Sequence, residues 1–285
     1  MILDEILAHK ATELAARKAH EPESSVAARV AAAPPPLDFR AALHGPDLSV
    51  IAEVKRSSPA RGALRLDMDA ERVAADYAAA GAAAISVLTD ERYFRGLDAD
   101  LVAVRQRVQV PLLRKDFVID PYQVYEARAL GADAVLLIVR ALERRQIDEL
   151  GRVAAGLGMA ALVEVHTADE LALAADIGAT LIGINNRDLT TMTVDLETTA
   201  RLLPLAPPGA TMVSESGIKS PDDVRGLRQL GVDAVLVGEA LVTAPQPSRL
   251  LAELVDAGRS LDDRPYRQSR RGQGSRTQRH TLLSS

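Results

Sequence analysis

A quasi-repeat in the middle of the chain constrains the fold more than any other feature. A helical stretch ends at glycine and an almost wholly apolar run follows within a few residues. It occurs as Gly81-Ala-Ala-Ala-Ile85-Ser-Val-Leu88, Gly131-Ala-Asp-Ala-Val135-Leu-Leu-Ile138, Gly178-Ala-Thr-Leu-Ile182-Gly-Ile-Asn185 and Gly231-Val-Asp-Ala-Val235-Leu-Val-Gly238. Glycine here supplies the left-handed residue that stops a helix. The run after it is too uniformly apolar for a strand with one wet face, so it reads as a parallel strand buried on both faces. Four more such runs lie between, Ser49–Lys55, Pro111–Lys115, Met159–Val165 and Ala210–Glu215, which gives eight strands. Helix starts fall in the gaps: Asp69, Asp120 before Pro121, Thr167 with Glu170 as a capping box, and Ser220 before Pro221.

Eight strands alternating with helices predict a (β/α)8 TIM barrel. An open doubly wound sheet would carry a glycine-rich fingerprint after its first strand, and this first strand runs instead into Lys55-Arg-Ser-Ser-Pro59. With 47% hydrophobic residues but only 3% aromatics and no Trp, the core must be built from small aliphatics. Residues 1–48 form an N-terminal helical extension, opened by the amphipathic stretch Ile2–Lys18, that covers the barrel bottom or edges its mouth. Residues 49–258 form the barrel. Residues 259–285, with seven Arg against Asp262 and Asp263, lack apolar periodicity and are expected to be a disordered basic tail.

The net charge is −5, and removing the +5 tail leaves a body at −10, which argues against nucleic acid as a partner. There is no Cys, so thiolate chemistry and disulfides are excluded. The apolar runs fall far short of the roughly 20 residues a bilayer requires. The five His show no metal-ligand spacing, so no metal is implied, and His166 reads as a solvated polar residue.

Charge interrupts the apolar strands at one end only. The first strand ends in Glu53 and Lys55, the third in Lys115, the fifth in Glu164, the sixth in Asn185 and the seventh in Glu215. Barrel active sites sit at the C-terminal strand ends, and alternate strands fill each interior layer. Glu53, Lys55, Lys115, Glu164 and Glu215 all belong to odd strands and should converge at the mouth. Buried charges must be paired or serve a ligand. Beside them, Ser216-Gly217 after the seventh strand and Gly238-Glu239 after the eighth suit a phosphate, with Ser58 able to add a hydroxyl. The segment Arg56–Met68 is long for a βα loop and, with Gly62, is expected to act as a lid.

These strand-end motifs resemble the indole-3-glycerol-phosphate synthase family over roughly Ile2–Leu254. The strings that carry the resemblance are Ile51-Ala-Glu-Val-Lys-Arg-Ser-Ser-Pro59, Ser86-Val-Leu-Thr-Asp90 with Tyr93-Phe94-Arg-Gly96, Leu113-Arg-Lys-Asp-Phe117, Leu162-Val-Glu-Val-His166, Gly183-Ile-Asn-Asn-Arg-Asp-Leu189, Ser214-Glu-Ser-Gly217 and Val237-Gly-Glu-Ala240. The basic tail is outside the family pattern. The resemblance implies a carboxy-lyase of tryptophan biosynthesis. It would convert 1-(2-carboxyphenylamino)-1-deoxyribulose 5-phosphate to indole-3-glycerol phosphate, CO2 and water without a cofactor. It implies Lys115 as general acid, Lys55 and Glu164 in the later proton transfers, and Glu53 holding both lysines charged. It implies Asn185, Arg187, Glu215 and Ser216 as substrate contacts, Phe117 and Pro59 flanking the aromatic ring, and the phosphate on Ser58, Gly217, Gly238 and Glu239. The implied partner is a phosphorylated small molecule. The expected state is a cytoplasmic monomer, compatible with association with other tryptophan-pathway enzymes. The alternative is a non-catalytic barrel that binds phosphorylated ligands, or another phosphate-binding barrel enzyme of amino-acid biosynthesis.

Overall fold

The computed structural model describes residues 2–259, and the sequence beyond Arg259, including nearly all of the expected tail, lies outside the described residues. Eight parallel strands close into a barrel: β1 (Ser49–Val54), β2 (Ala84–Leu88), β3 (Leu112–Lys115), β4 (Ala134–Ile138), β5 (Ala160–Val165), β6 (Leu181–Asn185), β7 (Thr211–Glu215) and β8 (Ala234–Val237). Each pairs with its neighbours in sequence, and β8 closes on β1 through Ser49↔Ala234 to Ala52↔Val237. The strands lie within about a residue of the apolar runs. Gly81, Gly131, Gly178 and Gly231 all adopt positive φ, as helix stops require.

The caps follow side-chain chemistry. Asp69 accepts from Arg72 N–H, and Asp120 accepts from Tyr122 N–H ahead of Pro121. Ser220 and Asp223 form a reciprocal capping box. Thr167 forms only half of one. Its hydroxyl accepts from Glu170 N–H, but the Glu170 carboxylate turns back to His166 instead of the Thr167 N–H.

Strand alternation and barrel stagger stack the interior in layers. Ala84, Ala134, Leu181 and Ala234 from the even strands form the bottom, and Ile51, Leu113, Leu162 and Val213 from the odd strands lie above them. Leu136, Gly183 and Leu236 come next, and the following odd layer is Glu53, Lys115, Glu164 and Glu215. The opposite strand faces, such as Val50, Ile85, Val135 and Ile182, pack under the helices in a second, larger apolar cluster.

The N-terminal extension is helical, as expected, and reaches both ends of the barrel. Helix α1 (Ile2–His20) buries Leu3, Ile6, Lys10 and Leu14 along one stripe, and Ile2, Leu3 and Ile6 line the cavity at the mouth. After α2 (Glu23–Ala32), the chain passes beneath the barrel. There the short helix α3 (Phe39–Ala42), with Leu43 after it, inserts Phe39 and Leu43 into the bottom layers. Arg40 fixes this segment by donating to Thr211 Oγ1 and the Gly209 carbonyl.

Candidate active site

A cavity of about 890 Å³ opens at the C-terminal strand ends, a size suited to a phosphorylated aromatic ligand. Every site residue expected from the sequence lines it: Glu53, Lys55, Ser58, Pro59, Lys115, Phe117, Glu164, Asn185, Arg187, Glu215, Ser216, Gly217, Gly238 and Glu239.

Lys115 stands at the centre. Its Nζ lies 2.9 Å from Glu164 Oε2 and 2.9 Å from Glu215 Oε2. Burial works against its charge, but Glu164, Glu215 and Glu53 outweigh burial and hold the ammonium well above the usual lysine range. Lys55 pairs with Glu53 at 2.7 Å. Glu53 thus contacts only one of the two lysines it was expected to hold, and it acts on Lys115 through its charge, while Glu164 and Glu215 make the contacts.

Glu164 and Glu215 compete for one ammonium, and their surroundings separate them. Burial opposes the Glu164 anion, yet Lys115, His166 and the Asn185 amide, which donates to Oε1 at 3.1 Å, hold the carboxyl down at about 2. Glu215 is 1% exposed, and its Oε1 has no hydrogen-bond partner among the described residues. Burial first, then the neighbouring Glu164 and Glu53 charges, prevail over Lys115 and push Glu215 up to about 7. Of the two carboxyls, Glu215 is therefore the one that takes up a proton more readily.

Two glycines make room for these carboxyls. A Cβ at Gly183 would lie 2.0 Å from Glu215 Oε1, and one at Gly238 would lie 2.1 Å from Glu53 Oε1. Gly238 was expected to serve phosphate, and it also shapes the seat of Glu53. At the end of β7, Ser216 (φ +66°) and Gly217 (φ +88°) are both left-handed and turn the chain sharply along the cavity wall. Strain of this kind in a non-glycine residue clusters at functional sites. The Glu239 carboxylate is engaged by Arg61 Nε at 2.9 Å and Arg187 Nη2 at 3.4 Å, so any anion contact from this residue falls to its backbone N–H.

A profile of the family described as indole-3-glycerol phosphate synthase matches residues 3–254. The chain belongs to the indole-3-glycerol phosphate synthase family. Proteins named indole-3-glycerol phosphate synthase from Saccharopolyspora erythraea and Parafrankia sp. are 50% and 51% identical to it, each covering 90% of this chain and 96% of the relative. A namesake from Roseiflexus sp. is 51% identical over 89% of this chain and 97% of its own. Among solved structures, 3-hexulose-6-phosphate synthase from Salmonella typhimurium has a TM-score of 0.61 at 16% identity, covering 74% of this chain and 98% of that one. Thiamine phosphate pyrophosphorylase from Pyrococcus furiosus has a TM-score of 0.56 at 21% identity, covering 74% and 95%. These two likenesses are of fold.

Several site features went unread in the sequence. Phe94, from the turn after β2, lines the cavity with its ring centroid 6.2 Å from that of Phe117. Arg61 reaches the mouth from the segment expected to be a lid. That segment is a hairpin, Ser57–Ser58 paired with Gly62–Ala63, whose base is pinned by Arg56 to Asp100 and to the Met68 carbonyl. Lys10 lies buried between Asp90 (3.0 Å) and Asp116 (2.9 Å), the residue next to Lys115, and so ties α1 to the mouth. Its signal was a lysine in the apolar stripe of an amphipathic helix. His166, expected in solvent, is instead enclosed between Glu164 and Glu170, with 5% of its side chain exposed. The spacing Glu164, His166 on one strand face was the available clue. Among the described residues, no group of three or more His, Asp or Glu is placed to hold a metal, and no helix is long and apolar enough to cross a membrane.

Proposed function

We propose that the charged layer at the barrel mouth carries the family's chemistry through Lys115, Glu164 and Lys55. By its family the chain is a decarboxylating carbon–carbon lyase that forms indole-3-glycerol phosphate in tryptophan biosynthesis. The substrate, 1-(2-carboxyphenylamino)-1-deoxyribulose 5-phosphate, presents a carboxylate, a ketone and a phosphate. The observation that carries the assignment of roles is the Lys115 ammonium, fixed by two carboxyls and facing the cavity.

In the first step the ring carbon bearing the carboxylate attacks the ketone carbon. The ketone oxygen becomes far more basic as the new bond forms, and it takes a proton from Lys115. Positioned transfer of this kind contributes about 10²–10⁴ in rate. Glu215, which holds a proton near neutral pH, is 2.9 Å away and can return one to Lys115. Loss of CO2 then leaves its electron pair in the ring. Dehydration needs an acid for the departing hydroxyl and a base for the adjacent C–H. Lys55, paired with Glu53, supplies the acid, and Glu164, anionic throughout, supplies the base. Phe94, Phe117 and Pro59 give the aromatic ring an apolar wall, with Asn185, Arg187 and Ser216 as polar contacts. The phosphate sits on backbone N–H groups around Gly217, Gly238 and Glu239 and on the Ser58 hydroxyl. The cavity's lining already holds every residue the scheme uses, so the chemistry calls for no second subunit and we read the enzyme as a monomer, and the cysteine-free sequence fits a cytoplasmic one.

An absorbance or fluorescence assay for indole-3-glycerol phosphate tests the scheme. Wild type should be active, and Lys115→Ala and Glu164→Gln should lose about 10²-fold or more in kcat. An inactive wild type, or an unimpaired Lys115→Ala, would refute it.

A further inference from the structure

The buried His166 has no part in the scheme above, and its surroundings are unusual. It follows β5, two residues after Glu164, and does not line the cavity. Its Nδ1 lies 3.1 Å from Glu170 Oε2, an oxygen that also accepts from the His166 backbone N–H at 2.6 Å. Its Nε2 is buried 3.5 Å from Glu164 Oε1 and has no hydrogen-bond partner among the described residues. Both ring nitrogens thus face carboxylate oxygens. A neutral imidazole carries one N–H and one lone pair, so one nitrogen would direct its lone pair at an anion. Only the doubly protonated ring presents N–H to both sides.

We propose that His166 is a positioning residue for Glu164: a cationic imidazole, clamped by Glu170 on helix α4 (Ala168–Asp176), that keeps Glu164 anionic and so directs protonation to Glu215. The groups facing it are Glu164 from β5, Glu170 from α4 and, through its charge, Glu215 from β7. Arg140, after β4, lies 3.9 Å from the far oxygen of Glu170, and Lys115 from β3 holds the other oxygen of Glu164. Burial disfavours the charged ring, but the Glu170 hydrogen bond and the Glu164 and Glu170 charges outweigh it and raise its pKa above the usual histidine value. Glu164 and Glu215 share Lys115 almost symmetrically, at 2.9 Å each. The Glu53 charge weighs on Glu215, while the Asn185 amide and the His166 cation favour the Glu164 anion, and of these last two only His166 contributes a full charge.

The inference rests on Glu164 acting as base, and the test keeps the two ideas apart. Nitrogen-15 NMR of the wild-type imidazoles, with the His166 signal identified by its loss in His166→Gln, should find this ring cationic at pH 7. In His166→Gln, kcat should fall about tenfold with KM within about twofold, because the ring does not touch substrate. Losing a positive charge makes proton loss from the carboxyl pair harder. The neutral ionisation in the pH profile of kcat/KM should therefore move up by about one unit. Glu170→Gln should move it the same way by less. A neutral ring at pH 7, or a folded His166→Gln with wild-type kcat and an unmoved profile, would overturn the proposal even if Glu164→Gln is inactive. An active Glu164→Gln would instead remove the reading beneath it. Should His166→Gln fail to fold, Glu170→Gln decides the question in the same terms, through its pH profile and through the wild-type titration of the imidazole signal that this substitution shifts.

Discussion

Replacing Lys10 with Met tests whether the N-terminal helix is fastened to the mouth by charge. Lys10 is 2% exposed and lies about 3 Å from each of Glu13, Asp90 and Asp116. Met fills similar volume but leaves Asp90 and Asp116 facing an apolar side chain. For Asp116, burial is opposed by Arg114, Lys10 and Thr89, and its carboxyl is held at about 2 against an ordinary 3.8. A shift of that size corresponds to about 2 kcal/mol of stability at neutral pH. Arg114, 3.6 Å from Asp116, stays in place and retains part of it, while Asp90 loses its buried cation altogether. Removing one partner of a buried ion pair typically costs 3–5 kcal/mol, and we expect the lower end, about 3 kcal/mol, which for a chain of this size lowers Tm by roughly 6–12 °C. The sign with pH is fixed by the depressed carboxyl: its contribution is complete above 3.8 and disappears as pH falls towards about 2. The deficit of Lys10→Met, measured by urea unfolding with circular dichroism, should therefore be full at pH 7 and shrink on acidification through that window. A deficit below about 1 kcal/mol, or one that does not change with pH, would refute the reasoning.

Two further substitutions test the cavity wall. Gly238 has φ −126°, which alanine tolerates, so Gly238→Ala should leave the fold intact while its Cβ displaces Glu53 from Lys55. A misplacement of about 1 Å can cost on the order of 10²-fold, and steady-state kinetics showing wild-type kcat would rule the displacement out. At the hairpin tip, Gly62 has φ +68° with open space around it, and a branched side chain there strains the turn without a steric clash. Gly62→Val should alter turnover if the hairpin opens and closes over substrate, and unchanged kinetics would count against a moving lid.

The barrel and its charged layer were legible because two simple periodicities coincide. Side chains alternate along a strand, and alternate strands fill each layer, so charges at the ends of otherwise apolar odd strands could only meet at one place. Features that arise from pairing between distant segments were not legible. Lys10 meets Asp90 and Asp116 only after the barrel closes, and Arg114, on the outer face of β3, is neutralised by Asp98 and Glu126 from two helices. His166 read as a solvated polar residue, and Glu170, its second carboxylate, read separately as half of the Thr167 capping box, so nothing in the sequence joined the two. Gly238 was assigned to the backbone chemistry of anion binding, whereas its lack of a side chain also serves the carboxylate of a different strand. The Arg56–Met68 segment was read by its length, and the pairing of Ser57–Ser58 with Gly62–Ala63 had no signal beyond a turn glycine.

The extension that walls the mouth with α1 and plugs the base with Phe39 and Leu43 also orders the events of synthesis. It leaves the ribosome ahead of every barrel strand, yet Phe39 and Leu43 pack among residues as late as Ala234 and Leu236, and α1 awaits Asp90 and Asp116. A segment whose partners are this remote in sequence gains its contacts late, after long loops have closed. Residues made before the barrel are therefore among the last to dock, and on a nascent chain the apolar stripe of α1 stays uncovered until the strands that receive it have emerged.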